Sequence, residues 1–161
     1  MKEIRTCSQE DTIEFGKKLG VLLKKGDIVC ITGDLGTGKT VLTNGIASAL
    51  GIDEYITSPT FTIVNEYEKG DISLYHFDVY RISAPEEMFE IGFEEYLYGD
   101  GIVVIEWADL IKSILPDENI WITIEKDLKN GVDERIIRVE FNGERYREYE
   151  EKLVLGDERQ K

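Results

Sequence analysis

The sequence predicts an α/β domain: a mostly parallel sheet flanked by helices, with an antiparallel hairpin inserted into the alternation. Three observations carry that expectation. Asp27-Ile-Val-Cys-Ile-Thr32 and Gly101-Ile-Val-Val-Ile-Glu106 are continuous apolar, β-branched runs, the pattern of strands buried on both faces of a parallel sheet. The first run leads through a glycine-rich stretch, Gly33-Asp-Leu-Gly-Thr-Gly-Lys-Thr40, into residues 41–50, where positions 42, 45, 46 and 50 fall at helical spacing before Gly51. Residues 61–68 and 72–78 are β-rich and are separated by Lys69-Gly70-Asp71, a hairpin signature.

The remaining elements follow in order. Lys2 to Cys7 suits a short edge strand. Ser8-Gln-Glu-Asp11 approaches a capping box, and a helix is expected from there to about Lys25, with Ile13, Phe15, Leu19, Leu22 and Leu23 mostly inward and Gly26 ending it. Residues 84–98, opening with Ala84-Pro85-Glu86-Glu87, read as one or two short helices around Gly92. A short helix over Ala108 to Leu115 is stopped by Pro116, and residues 119–125 and 135–141 read as two further strands. One domain is expected across 1–161, its tail from about residue 143 forming a peripheral, solvated helix in which Arg145 and Arg147 alternate with Glu144, Glu148, Glu150 and Glu151.

Residues 33–40 spell G-x-x-x-x-G-K-T, the phosphate-binding loop pattern of nucleoside triphosphatases, and its strand-loop-helix setting is the one that pattern requires. The expected fold is therefore P-loop NTPase-like. Gly33, Gly36 and Gly38 allow positive φ and leave no Cβ in the path of a phosphate. Backbone N–H groups from Gly36 through Thr37, Gly38, Lys39 and Thr40 to Val41 are then free to cradle a β-phosphate, aided by the positive end of the following helix. In this pattern Lys39 reaches the β- and γ-phosphates, and the Thr40 hydroxyl is placed for Mg²⁺.

Mg²⁺ takes oxygen ligands, commonly one or two carboxylates with phosphate and water. Two acids end strands at the expected ligand-binding edge: Glu106 after Ile102-Val-Val-Ile105, and Asp78 after the second hairpin strand. Asp78 is equally suited to a turn or cap ahead of Arg81. Several neighbours stay open to two readings. Thr60, in Ser58-Pro-Thr-Phe-Thr62, serves either Mg²⁺ or the γ-phosphate, or a plain turn. Trp107 either stacks on the site, seals it or contacts a partner, or packs half-buried. His76 is either a structural histidine or a partner of a nearby carboxylate. Arg81 either meets transition-state charge or pairs with Glu86, Glu87 or Glu94. Trp121 and Cys30 read as core.

Composition narrows the function classes. Hydrophobic content of 42% and charged content of 32% are those of a soluble globular chain. No apolar run approaches a membrane span, and the start of the chain lacks the apolar core of a secretory signal, so a cytoplasmic location is expected. Cys7, Cys30 and His76 give neither a disulfide framework nor zinc spacing. A net charge of −14 disfavours gripping a phosphate backbone and favours a protein partner.

In fixed order, Gly33-Asp-Leu-Gly-Thr-Gly-Lys-Thr40, Ser58-Pro-Thr-Phe-Thr62, Val64-Asn-Glu-Tyr67, Tyr75-His-Phe-Asp-Val-Tyr-Arg81, Ile91-Gly92 and Ile105-Glu-Trp107 resemble the TsaE (formerly YjeE) family of small bacterial P-loop ATPases. The likeness runs from about residue 8 to about residue 125. It implies an ATP-binding and hydrolysing component of the machinery that makes threonylcarbamoyladenosine in tRNA, at the adenosine beside the anticodon. Its implied partners are TsaD, the transferase, and TsaB; tRNA is met only indirectly. ATP or ADP and Mg²⁺ are the implied ligands, with weak hydrolysis by the isolated protein. By motif match, Lys39 and Thr40 carry the phosphate and Mg²⁺ roles, Asp78 is a Walker-B-like acid, and Glu106, paired with Trp107, binds Mg²⁺ or positions water. The resemblance also implies a base site near the first helix, with Thr12 as a contact. Two other classes share the loop: a small-molecule or nucleoside kinase, which needs an arginine-bearing lid that the sequence does not display, and a nucleotide-gated binding module without essential hydrolysis.

Overall fold

The structure, a computed structural model, describes residues 1–59 and 62–153. Among these residues seven strands form one sheet: β1 (Lys2–Thr6), β2 (Ile28–Thr32), β3 (Val64–Lys69), β4 (Ile72–Asp78), β5 (Ile102–Glu106), β6 (Asn119–Lys126) and β7 (Arg135–Asn142), in spatial order β1-β7-β6-β2-β5-β4-β3. The central strands β6, β2, β5 and β4 pair in parallel. Both margins are antiparallel, through β3 with β4 on one side and β1, β7 and β6 on the other. The sheet is therefore mixed rather than mostly parallel, because the two hairpins turn the chain back where a helical crossover would have kept the direction.

β2 is the middle strand and is buried along its whole length. Its alternating side chains serve two cores. Val29 and Ile31 join Phe15, Leu19, Leu42, Ile46 and Val104 on one face, and Ile28 and Cys30 join Phe77, Met88, Phe93, Val103 and Ile105 on the other. The first core lies under α1 (Gln9–Gly20) and α2 (Lys39–Ala49). These helices meet at two glycines. A Cβ on Gly16 would lie 2.5 Å from the Leu42 carbonyl oxygen, and one on Gly45 would lie 2.3 Å from that of Ile13. Any side chain there would push α2, and with it the loop ahead of it, off the sheet.

α1 begins as expected, with the Ser8 hydroxyl accepting from the Asp11 N–H at 3.1 Å, but it ends at Gly20 rather than near Lys25. Gly20 is wedged against Ile46 and Ala49, and the Lys24 N–H is taken by the Asp27 carboxylate at 2.7 Å, which turns the chain into β2. The second face is covered by a 3₁₀ helix over Pro85–Ile91, α3 (Phe93–Leu97) after Gly92, and a 3₁₀ helix over Ala108–Ile114. Trp121 is only half-buried and lies under the Lys112 ammonium, not in the core.

The C-terminal helix α4 (Glu144–Lys152) is not solvated all round. Tyr146 and Tyr149, three residues apart and so on one face, are buried, together with Leu153. The Tyr149 hydroxyl donates to Asp27 at 2.6 Å, Arg145 Nε donates to the same carboxylate at 2.8 Å, and the Tyr146 hydroxyl accepts from the Ile28 N–H. α4 thus fastens the beginning of β2, opposite the end that carries the glycine loop. Residues 154–161 of the tail lie outside the described residues.

Candidate functional site

Parallel pairing places the ends of β2, β5 and β4 along one edge. Ile31 is in register with Glu106, and Glu106 with Asp78, so Glu106 stands beside the strand that feeds residues 33–38 and Asp78 one strand further out, level with it. Ligands gather at this carboxyl edge in open α/β sheets.

The loop has the shape its glycines allow. Gly38 holds φ 111° at the cap position of α2, a conformation an L side chain would strain. A Cβ on Gly33 would sit 2.6 Å from the Ile124 carbonyl oxygen and 2.7 Å from the Thr37 hydroxyl, so that end of the loop is closely packed against β6. The Thr37 hydroxyl donates to the Asp34 carbonyl and braces the turn from within. Among the described residues no side chain caps α2, which leaves its first N–H groups open to water or an anion.

A cleft of about 360 Å³ opens over the loop, and Gly36, Gly38, Lys39, Thr40, Val41, Ser58, Asp78, Glu106 and Trp107 are among its lining residues. Lys39 Nζ donates to the Gly33 and Asp34 carbonyls at 2.7 and 2.9 Å and lies 4.0 Å from the centre of the Trp107 ring. Burial pushes the ammonium below the usual lysine pKa, against the opposing pull of Glu106, Asp78, Asp109 and Asp34. Trp107 has φ 64°, an uncommon conformation for a bulky residue, as the chain leaves β5 for the following 3₁₀ helix. That turn sets its ring between Lys39 and Tyr80, the latter 4.5 Å away centroid to centroid. Trp107 is thus both half-buried packing and a wall of the cleft.

Glu106 is buried, and its two oxygens accept from the Thr40 hydroxyl at 3.0 Å each. Thr43, one turn further along α2, donates to Oε2 at 3.3 Å, and His76 Nε2 lies 2.6 Å from the same oxygen. Asp78 makes the turn foreseen for it and also lines the cleft. Its Oδ1 accepts the Tyr80 N–H at 3.0 Å to make the turn, and its Oδ2 accepts from the Ser58 hydroxyl inside the cleft. Thr60 lies outside the described residues.

Three residues bearing on the loop were not singled out from the sequence. Arg135, at the start of β7, donates from Nε to the Thr37 carbonyl at 2.9 Å and holds the glycine-rich turn. Asn44 reads both the carbonyl and the N–H of Ile56, at 2.9 and 2.8 Å, and tethers the segment leading to Ser58 to α2. Thr43 is the third. Thr43 and Asn44 fall three and four positions after Thr40, the spacing that puts them beside it on a helix; Arg135 left no comparable local signal. A smaller cavity of about 80 Å³ continues past the loop between Ser8, Gln9, Thr12, Thr37, Asp133 and Arg135.

Hard oxygen donors on Thr40, Asp78 and Glu106, beside an uncapped helix start and a cradle that a Cβ would fill, fit Mg²⁺ held jointly with phosphate. Among the described residues no three His, Cys, Asp or Glu side chains form a metal-binding group. Among the same residues no helix is long and apolar enough to cross a membrane.

Comparison with known proteins agrees along nearly the whole chain. The profile of the family described as "Threonylcarbamoyl adenosine biosynthesis protein TsaE" matches residues 6–137. The chain is 42% identical over 159 residues to the tRNA threonylcarbamoyladenosine biosynthesis protein TsaE of Bacillus subtilis (strain 168), covering 98% of each. It is 44% identical over 117 residues to the protein of the same name from Treponema pallidum (strain Nichols), covering 73% of this chain and 86% of that one. Its structure is similar to the crystal structure of Bacillus subtilis YdiB, with a TM-score of 0.79 and 39% identity over 97% of this chain and 95% of that one. With the motifs, the fold and the full-length relatives in agreement, the chain belongs to the TsaE family.

Proposed function

We propose that this chain is the Mg²⁺-dependent ATPase component of the machinery that makes threonylcarbamoyladenosine in tRNA, and that it couples ATP hydrolysis to turnover of a TsaD/TsaB transferase pair. One observation carries the catalytic part: the Glu106 carboxylate, at the end of a buried parallel strand, is hydrogen-bonded to Thr40 in the first turn of an uncapped helix that follows a glycine loop. A phosphate chain laid along that loop receives the N–H groups of residues 36–41 and the Lys39 ammonium, which exchanges its present carbonyl partners for phosphate oxygens.

The two acids divide the remaining work. Thr40, with its proton donated to Glu106, keeps oxygen lone pairs free for the metal. Mg²⁺, when bound, neutralises charge on the β- and γ-phosphate oxygens. Glu106 orients water for attack, and Asp78, fixed by Ser58 and the Tyr80 N–H, supplies the second carboxylate. The smaller cavity by Thr12 and Arg135 receives the base and ribose. Trp107 closes the phosphate end. The groups that complete γ-phosphate stabilisation come from the partner, as happens in hydrolases whose arginine is supplied in trans. A chain of charge −14 meets that partner as a protein surface and leaves tRNA to it.

The test measures ATP hydrolysis by the protein alone and with the TsaD/TsaB pair, for wild type and Lys39→Ala. The pair is expected to raise turnover of the wild type and not of the variant. Turnover unchanged by the pair in folded wild-type protein would refute the coupling, and a fully active Lys39→Ala would refute the site.

A further inference from the structure

We propose that His76 is a positioning residue for Glu106: its Nε2–H saturates one carboxylate oxygen and so turns the other toward the cleft. The proposal rests on the assignment of Glu106 to hydrolysis and adds a residue to which no role in that reaction was given. His76 is wholly buried on β4, on the same side of the strand as Leu74 and two residues ahead of Asp78. Its Nε2 is 2.6 Å from Glu106 Oε2, and the Thr43 hydroxyl, which also faces the Lys39 carbonyl at 3.0 Å, lies 3.3 Å from that same oxygen. Among the described residues, Oε1 has only the Thr40 hydroxyl as a donor, which it shares with Oε2. The free lone-pair capacity of the carboxylate is therefore concentrated on Oε1, in the residue that lines the cleft.

The far ring nitrogen strengthens the argument. His76 Nδ1 is, among the described residues, the buried side-chain nitrogen or oxygen that has no hydrogen-bond partner. A carboxylate only accepts, so the ring must present a proton at Nε2. Placing it on Nδ1 instead would set a lone pair against Oε2 and bury a donor with no acceptor. A proton on Nε2 with none on Nδ1 avoids both, at the cost of one unpartnered lone pair. A position that only filled volume would be served by Phe without that cost. Among the described residues the imidazole makes one side-chain bond, to Glu106, and that bond holds the Glu106 carboxylate in place, much as an outer-shell partner fixes a ligand.

Two measurements test this, and only one of them depends on hydrolysis. His76 is the sole histidine, so the imidazole ¹⁵N spectrum of the intact chain reports one ring. The expected signature is the Nε2–H tautomer with a slowly exchanging ring proton. A ring protonated at Nδ1, or averaged between tautomers, overturns the proposal even if the protein is an active ATPase. In steady-state hydrolysis with the activating pair, His76→Phe is expected to lower kcat by about 10-fold or more with nucleotide KM nearly unchanged, and His76→Gln, whose amide restores a donor, to recover most of it. Wild-type kcat in a folded His76→Phe, or no recovery with Gln, overturns it. Absence of hydrolysis in the wild type defeats the ATPase reading instead and leaves the tautomer measurement decisive for the bond.

Discussion

The Lys39 ammonium rests 4.0 Å from the centre of the Trp107 ring while donating to the Gly33 and Asp34 carbonyls. The lysine proposed to meet phosphate is held by the loop's own backbone, under an aromatic lid. A phosphate entering the loop must draw Nζ away from those carbonyls, so the ring's electrostatic surroundings change with it. In a Trp121→Phe background, where Trp107 is the remaining tryptophan, Mg-nucleotide is expected to shift or quench the emission. The change should vanish in Lys39→Met. Emission insensitive to saturating nucleotide would contradict the contact.

Asn44 joins α2 to the segment that carries Ser58, with its amide nitrogen on the Thr40 and Ile56 carbonyls and its oxygen on the Ile56 N–H. Asn44→Ala removes all three bonds and leaves half-buried backbone groups unpaired. The expected loss is about 1–3 kcal/mol, several degrees in Tm, with faster amide exchange centred on residues 56–58. A melting temperature within a degree of wild type would show the tether to be dispensable.

At the other end of β2, burial raises the Tyr146 hydroxyl to about 12, and burial together with the hydrogen bond to Asp27 raises that of Tyr149 as well. Both groups hold their protons in the folded chain at a pH where the unfolded chain has released them. Their contribution is complete below the ordinary tyrosine value near 10 and is lost as pH rises through the folded values. Stability is therefore expected to fall between about pH 10 and 12, with α4 releasing first, and Tyr149→Phe to be less stable at pH 7 but to show a shallower alkaline decline. Equal slopes for the two proteins would rule out the linkage. Denaturant midpoints across that range supply the measurement.

Much of the site was legible because it depends on local pattern. The run Ile102–Glu106 required a doubly buried strand, and a carboxylate at its end had to emerge at the ligand edge; the register of Glu106 with Ile31 and Asp78 follows from parallel pairing. The glycine loop identified its own neighbours. What escaped depends on contacts between distant segments. Arg135 reaches the Thr37 carbonyl across 98 residues, and which ring nitrogen of His76 meets Glu106 is decided only when β4 and β5 lie side by side. The end of α1 was missed because Leu22 and Leu23 extend the helical spacing while Asp27 captures the Lys24 N–H and turns the chain. In α4 the dense charges suggested a solvated helix, whereas Tyr146 and Tyr149, three apart, mark the buried face.

Calorimetric titration of the folded chain with ADP and with a non-hydrolysable ATP analogue, with and without Mg²⁺, tests the central claim most directly. The account predicts saturable binding of the ATP analogue that is strengthened by Mg²⁺, with both nucleotides losing affinity by about 10-fold or more in Lys39→Met. Heat indistinguishable from dilution, or affinity untouched by Lys39→Met and by Mg²⁺, would contradict it.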